Sequence, residues 1–126
     1  MDQELRQRLI QAWIEHHKAQ RASGKVPDAT FWAWEKLDTI CDRDPNLCFS
    51  LILEILAVDK SEAVIENLSA GPLEDLLVRH GRTVIERIET EAKVNPDFRL
   101  LLGGVWRNTI KKDVWKRVQA LVETRW

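Results

Sequence analysis

A chain of 126 residues with 44% hydrophobic and 31% charged side chains has the size of one domain with one core, and its composition excludes collagen-like, low-complexity and wholly disordered classes. Nineteen Lys and Arg against 20 Asp and Glu leave a net charge of −1, which argues against nucleic acid as an obligatory ligand of the whole surface. The most apolar stretch, Leu47 to Val58, is interrupted by Ser50 and Glu54 and falls short of the roughly twenty residues a membrane span needs, so it reads as a buried central helix.

Leu5, Leu9, Ala12, Trp13 and His16 share one face of a first helix from about Asp2 to Ala22, ended by Ser23 and Gly24. Glu4, Arg6, Arg8 and Glu15 are spread through it and no small-residue cleavage site follows, so a secretory leader is not expected and the expected location is cytoplasmic. After the loop Ser23 to Asp28, a second helix starts at Asp28 or Thr30 with Phe31, Trp34, Leu37 and Cys41 as its buried side. On that phase Trp32 points outward beside Glu35, Lys36 and Thr39, which makes it a candidate binding anchor.

Asp44-Pro45 and Asn95-Pro96 are the clearest helix starts, a short polar side chain capping the first turn and proline filling a position whose N–H has no partner. The first opens a stripe of Cys48, Leu51, Ile52, Ile55 and Leu56, the second one of Phe98, Leu101, Leu102, Val105 and Trp106. Their 51-residue offset hints at a degenerate repeat. Between them, Asp59 with Glu62 and Thr83 with Glu86 resemble capping boxes. The first opens a helix carrying Val64, Ile65 and Leu68 and closed by Gly71, the second one carrying Val84, Ile85, Ile88 and Ala92. Gly71 to Gly81 reads as a compact helix opened by Pro72 and closed by Gly81, with Leu73, Leu76, Leu77 and His80 on one face. A last helix starts near Asp113 and buries Val114, Val118, Leu121 and Val122. Gly103-Gly104 either breaks its helix or admits another backbone.

No window alternates with period two between hairpin turns. The fold class expected is therefore all-α, a single domain over 1–126 with Trp-rich N-terminal helices in 1–43 and a second helical region in 44–126. Seven or eight short helices would pack as antiparallel αα-hairpins, in the manner of a small HEAT-like stack, as a monomer or homodimer.

His16 and His17 point about 100° apart on a helix and no usual zinc spacing completes them, so no metal and no cofactor are expected. Cys41 and Cys48 straddle the Asp44-Pro45 turn, where a disulfide is conceivable, but buried small hydrophobes are the preferred reading. Charge is uneven: residues 59–91 hold eight acids against four bases, and residues 99–126 hold seven bases against two acids. With no nucleophile and base, no metal cluster and no phosphate loop, the expectation is a non-enzymatic interaction module. Its candidate contacts are Trp32, Glu74, Asp75, Arg107, Lys111, Lys112 and Lys116, with His80 a further polar contact. The concrete version is an immunity protein or inhibitor that masks a toxin or effector. The alternative is nucleic-acid binding through Arg107, Lys111, Lys112, Lys116 and Arg117 with Trp106 or Trp126.

The string Ala70-Gly-Pro-Leu-Glu-Asp-Leu-Leu77 with His80-Gly81, then Ile85-Glu86-Arg87-Ile88-Glu89, Asn95-Pro96-Asp97-Phe98-Arg99 and Val105-Trp106, resembles an uncharacterised bacterial family, a domain of unknown function. The resemblance spans residues 44 to 117 and is specific over 70 to 106. It implies a small soluble bacterial protein and assigns no catalytic residue.

Overall fold

A computed structural model describes all 126 residues and contains helices and no strand. The α-helices are α1 (Gln3–Ser23), α2 (Phe31–Arg43), α3 (Pro45–Val58), α4 (Glu62–Leu68), α5 (Glu74–Val94), α6 (Pro96–Leu102) and α7 (Lys112–Leu121), with a 3-10 turn over Asp28–Thr30 before α2. Three starts are capped as polar residues at these positions dictate. Asp2 accepts from the Leu5 N–H at 2.8 Å, and Asp44 and Asn95 accept from Leu47 and Phe98 N–H, each at 3.1 Å. The 51-residue offset repeats only this cap, because α3 runs 14 residues and α6 seven.

Helix α3 is the axis of the molecule. It packs on α1, α2, α4, α5 and α6, and Cys48, Phe49, Leu51, Ile52, Ile55 and Leu56 are all buried. A helix apolar on several sides is a core helix, and a bundle around it differs from a linear stack, in which each repeat meets only its neighbours. No helix is long and apolar enough to cross a membrane.

The expected seven or eight helices reduce to six rods, because Gly71-Pro72 does not separate two helices and the break expected at Gly81 is a kink within one rod. Glu62 to Val94 runs on through a π turn at Ser69–Leu73. Proline inside an α-helix removes one hydrogen bond and crowds the carbonyl four residues back, and the wider turn accommodates Pro72. Ser69, buried in that turn, donates to the Leu101 carbonyl at 2.8 Å and ties it to α6. At His80 the backbone leaves helical values (φ −135°, ψ 24°) and kinks α5, while its Nε2 lies 2.7 Å from the Asp42 carbonyl oxygen of α2. Gly81 then serves close packing, since a Cβ there would stand 2.9 Å from Val114 Cγ1 of α7. Neither expected capping box forms. Asp59 ends α3, accepts from the Ser61 N–H at 2.8 Å and pairs with Lys18 at 3.0 Å, and Thr83 lies within α5.

Two further expectations are corrected. Helix α2 is rotated from its predicted phase: Ala33, Leu37 and Cys41 form its buried line, whereas Phe31 and Trp34 are 37% and 42% exposed. The small Ala33 sits at the centre because α1 packs against α2, and half-buried Trp32 borders a shallow surface recess with Arg8, Gln11 and Ala12 of α1. Trp32 is therefore less exposed than its neighbours Phe31 and Trp34. Cys41 and Cys48 are joined as a disulfide with Cα atoms 4.8 Å apart, tying the end of α2 to the start of α3.

At Gly103-Gly104 both anticipated explanations hold. Helix α6 stops, and the C-terminal segment returns over the two glycines. The Trp126 N–H donates to the Gly103 carbonyl at 3.1 Å, its indole Nε1 to the Leu100 carbonyl at 2.8 Å, and Arg125 to the Val105 carbonyl at 2.9 Å. Because the helix ends, Trp106 leaves the predicted stripe and is 74% exposed. A Cβ on residue 103 would overlap the Thr124 carbonyl oxygen. Gly103→Ala is expected to lose about 1–3 kcal/mol in urea denaturation, the loss being bounded by what docking of residues 122–126 contributes, because the segment can lift away. An unchanged midpoint would show that this segment is not seated on α6.

Candidate binding cleft

A cleft of about 310 Å³ opens where α1, α2 and the π turn meet. Helix α1 contributes Trp13 and His17, helix α2 contributes Trp34, Leu37, Asp38 and Cys41, and Asn67, Ala70, Gly71, Pro72 and Asp75 come from the rod that carries the π turn. The wall is largely apolar and its polar groups are few, the usual make-up of a ligand site. That a π turn borders it accords with the frequent placement of such turns at functional sites.

The imidazole of His17 is the most constrained group. It is 6% exposed, lies 4.2 Å from the Trp13 ring between centroids, and neither ring nitrogen has a hydrogen-bond partner in the protein. Burial, then the neighbouring His16, lowers its pKa to about 4, so the ring is neutral at pH 7 and offers one donor and one acceptor. His16 differs in having a partner, its Nδ1 lying 3.1 Å from Thr30 Oγ1.

Two carboxylates face the same space. Burial pushes the Asp75 carboxyl above its ordinary range, Arg79 opposes that shift, and Asp38 and Glu74 add to it. The Arg79 guanidinium lies 3.7 Å from Asp38 and 3.8 Å from Asp42, beyond hydrogen-bond length. At the rim, the Trp34 ring stacks on Phe31 with centroids 5.5 Å apart and planes 10° from parallel.

The residues expected to meet a partner do not form one surface. Asp75 lies in the cleft, whereas Glu74 accepts from the Trp106 backbone N–H and from Asn108 Nδ2, each at 3.3 Å, and so anchors the loop before α7. Arg107 donates to the Ile110 carbonyl at 3.3 Å. Lys111, Lys112 and Lys116 are exposed and make no ion pair, and Lys111 borders a smaller recess of about 200 Å³ with Arg79, His80 and Arg82. Much of the remaining basic charge of residues 99–126 is engaged internally, Arg99 with Glu123 at 3.4 Å, Arg117 with Glu89, and Arg125 over the Trp115 ring at 5.0 Å. No three His, Cys, Asp or Glu side chains converge as metal ligands. Sequence reasoning missed His17, Trp34, Asp38 and Asn67 as cleft residues. The available signal was that Trp34 and Asp38, four apart, must share a face of α2 with Phe31.

An all-α domain with one aromatic and acidic cleft is what these features define. The chain belongs to DUF6869, a family of unknown function, whose profile matches residues 20–126. Comparison with curated proteins and with solved structures finds no match.

Proposed function

We propose that this protein is a non-enzymatic protein-interaction module that docks a partner on the rim of the cleft, in the manner of an immunity protein or inhibitor masking a toxin or effector. The observation that carries the reading is the stacked Phe31–Trp34 pair, two large aromatic rings left exposed at the mouth of a recess. Exposed apolar groups rimmed by polar residues mark interaction surfaces, and aromatic anchors dominate binding energy where they become desolvated. The same reading carries the expectation of a cytoplasmic location, against which the Cys41–Cys48 disulfide weighs, since such bonds are rare in reducing compartments. Nucleic-acid binding by the basic C-terminal region has less support, because so many of its arginines already hold internal partners.

Affinity capture from an extract of the source cells tests the proposal with three baits: the unaltered chain, the double variant Phe31→Ser with Trp34→Ser, and the double variant Lys111→Glu with Lys112→Glu. The partner is expected on the first and third baits and absent from the second. The lysine pair lies at the surface and should shift the melting curve by no more than about 0.5 kcal/mol equivalent, whereas the half-covered, stacked aromatic pair should cost about 1–3 kcal/mol, so capture is carried out well below the melting temperature of each bait. Retention on the aromatic variant with loss from the lysine variant would overturn the assignment. If what is lost is nucleic acid, with affinity falling linearly against salt in logarithmic coordinates, the nucleic-acid reading replaces it.

A further inference from the structure

The geometry points to a more specific role for the cleft: it is a guanidinium site, and its occupant is an arginine side chain presented by the docked partner, held by Asp38 and Asp75 against the Trp34 ring. The identity of the presenting molecule rests on the docking reading above. The site itself rests on four observations within the cleft.

Asp38 and Asp75 come from different helices and border one recess, so their like charges are brought together by the fold. Carboxylates so placed favour a cation between them, and the only nearby compensation is Arg79, which stands beyond hydrogen-bond length from Asp38. His17 lines the same recess, is more than nine-tenths buried, and has no partner at either nitrogen. A buried polar group normally finds a partner, and the acceptor nitrogen of a neutral imidazole is suited to an incoming N–H. Trp34 supplies an exposed aromatic face, which attracts a cation.

Guanidinium fits these features better than ammonium or a metal ion. It is planar, weakly hydrated and rich in N–H donors, so it can stack on an indole and serve two carboxylates from one group, whereas an ammonium is a compact and strongly hydrated charge. The apolar walls formed by Trp13, Leu37 and Pro72 make desolvation a deciding cost. Two carboxylates without a third converging ligand do not make a metal site. A volume of about 310 Å³ accommodates the head and stem of one such side chain.

The test uses the whole protein and two small probes, N-acetyl-arginine-N-methylamide and the citrulline analogue, which has nearly the same shape and no charge. Indole Nε1–H resonances report binding, with Trp13 and Trp34 in the cleft and Trp106 outside it as a control. Saturable shifts of Trp13 and Trp34 with the arginine probe, an undisturbed Trp106, and no saturation with citrulline are expected. Asp75→Asn and Asp38→Asn should each weaken the arginine probe by roughly tenfold or more. Asp75→Asn removes a charge that burial and the neighbouring carboxylates disfavour, so its thermal melt is expected at or above that of the unaltered chain, whereas Asp38→Asn also gives up a part-exposed ion pair with Arg79 and should leave the melt within about 1 kcal/mol equivalent. Equal response to the citrulline probe, or an unchanged affinity in Asp75→Asn, overturns the proposal, as does linear drift of all indoles together. Because the probe carries no partner protein, its failure removes the guanidinium site and leaves the docking rim to its own capture experiment. A capture experiment that recovers no partner leaves the probe result standing, because the probe titration is made on the unaltered chain.

Discussion

Replacing Phe49 with alanine is expected to lower the free energy of unfolding by about 3–5 kcal/mol in urea denaturation. Phe49 is completely buried on the axial helix α3, its ring meets Phe98 of α6 edge to face at 5.3 Å, and the Arg87 guanidinium of α5 lies 4.8 Å from its centroid. Arg87 is itself pinned to α3, donating to the Asn46 carbonyl at 2.9 Å and to Ser50 Oγ at 2.8 Å. It cannot swing in to fill the void without giving up those bonds. The cost therefore contains the lost transfer of the ring, the cavity left behind, and an aromatic pair worth about 0.5–1.5 kcal/mol beyond burial. Phe49→Leu, which refills most of the space, should recover more than half of it. A loss below about 1 kcal/mol for the alanine variant would mean that α3 is not the axis of the bundle.

Phe49 also shows what the amino-acid pattern conveys and what it leaves out. The stripe Cys48, Leu51, Ile52, Ile55 and Leu56 is buried as its spacing requires, and the polar-proline pairs at Asp44 and Asn95 cap their helices as expected. Phe49 falls off that stripe, because a periodic reading assigns one wet face to every helix and an axial helix has almost none. The break at Pro72 fails for a related reason, and the one at Gly81 is met by a kink at His80 rather than by a helix end. Proline at the first position of a helix and proline in a π turn look alike in sequence, and a glycine that ends a helix looks like one that lets α7 approach. Only the partners, Leu101 for Ser69 and Val114 for Gly81, decide between them, and they lie 32 and 33 residues away along the chain.

The cleft was less legible than the fold. Its acidic half showed in part, since Asp75 stood out beside the Gly-Pro pair. Its aromatic half did not, because α2 carries Phe31, Trp32 and Trp34 within four positions and a ranking by side-chain size assigns the buried face to the largest of them. The structure gives that face to Ala33 instead, since α1 can approach a methyl group more closely than an indole, and this rotation sends Trp34 and Asp38 to the recess. The ranking of hydrophobic sizes along a helix thus predicts its phase only when the packing neighbour is known. Cys41, which lies on both the expected and the observed buried line, meets Cys48 across the turn between α2 and α3.

The second large effect concerns His17 and pH. In the unfolded chain its imidazole titrates at the ordinary value of 6.5, whereas in the folded protein burial, with His16 adding to it, holds the value at about 4. Between these two the unfolded chain binds a proton that the folded protein refuses, so the contribution is fully present above pH 6.5 and is lost as pH falls toward about 4. The expected loss at the bottom of that window is about 3 kcal/mol. His16, lowered in the same direction by burial, adds to the slope, while Asp75, raised by burial, acts in the opposite sense by favouring the protonated carboxyl in the folded state. Asp59, Glu89 and Asp113 are lowered by their hydrogen-bonded partners and begin to lose stability only where carboxylates protonate, at the acid end of the range. Urea denaturation from pH 4 to pH 8 separates these contributions when repeated on His17→Phe, which keeps an aromatic ring against Trp13 and removes the proton. The variant should retain only the shallower slope from His16. A slope as steep as that of the unaltered chain would assign the titration to another group and remove the neutral, unpartnered imidazole from the cleft.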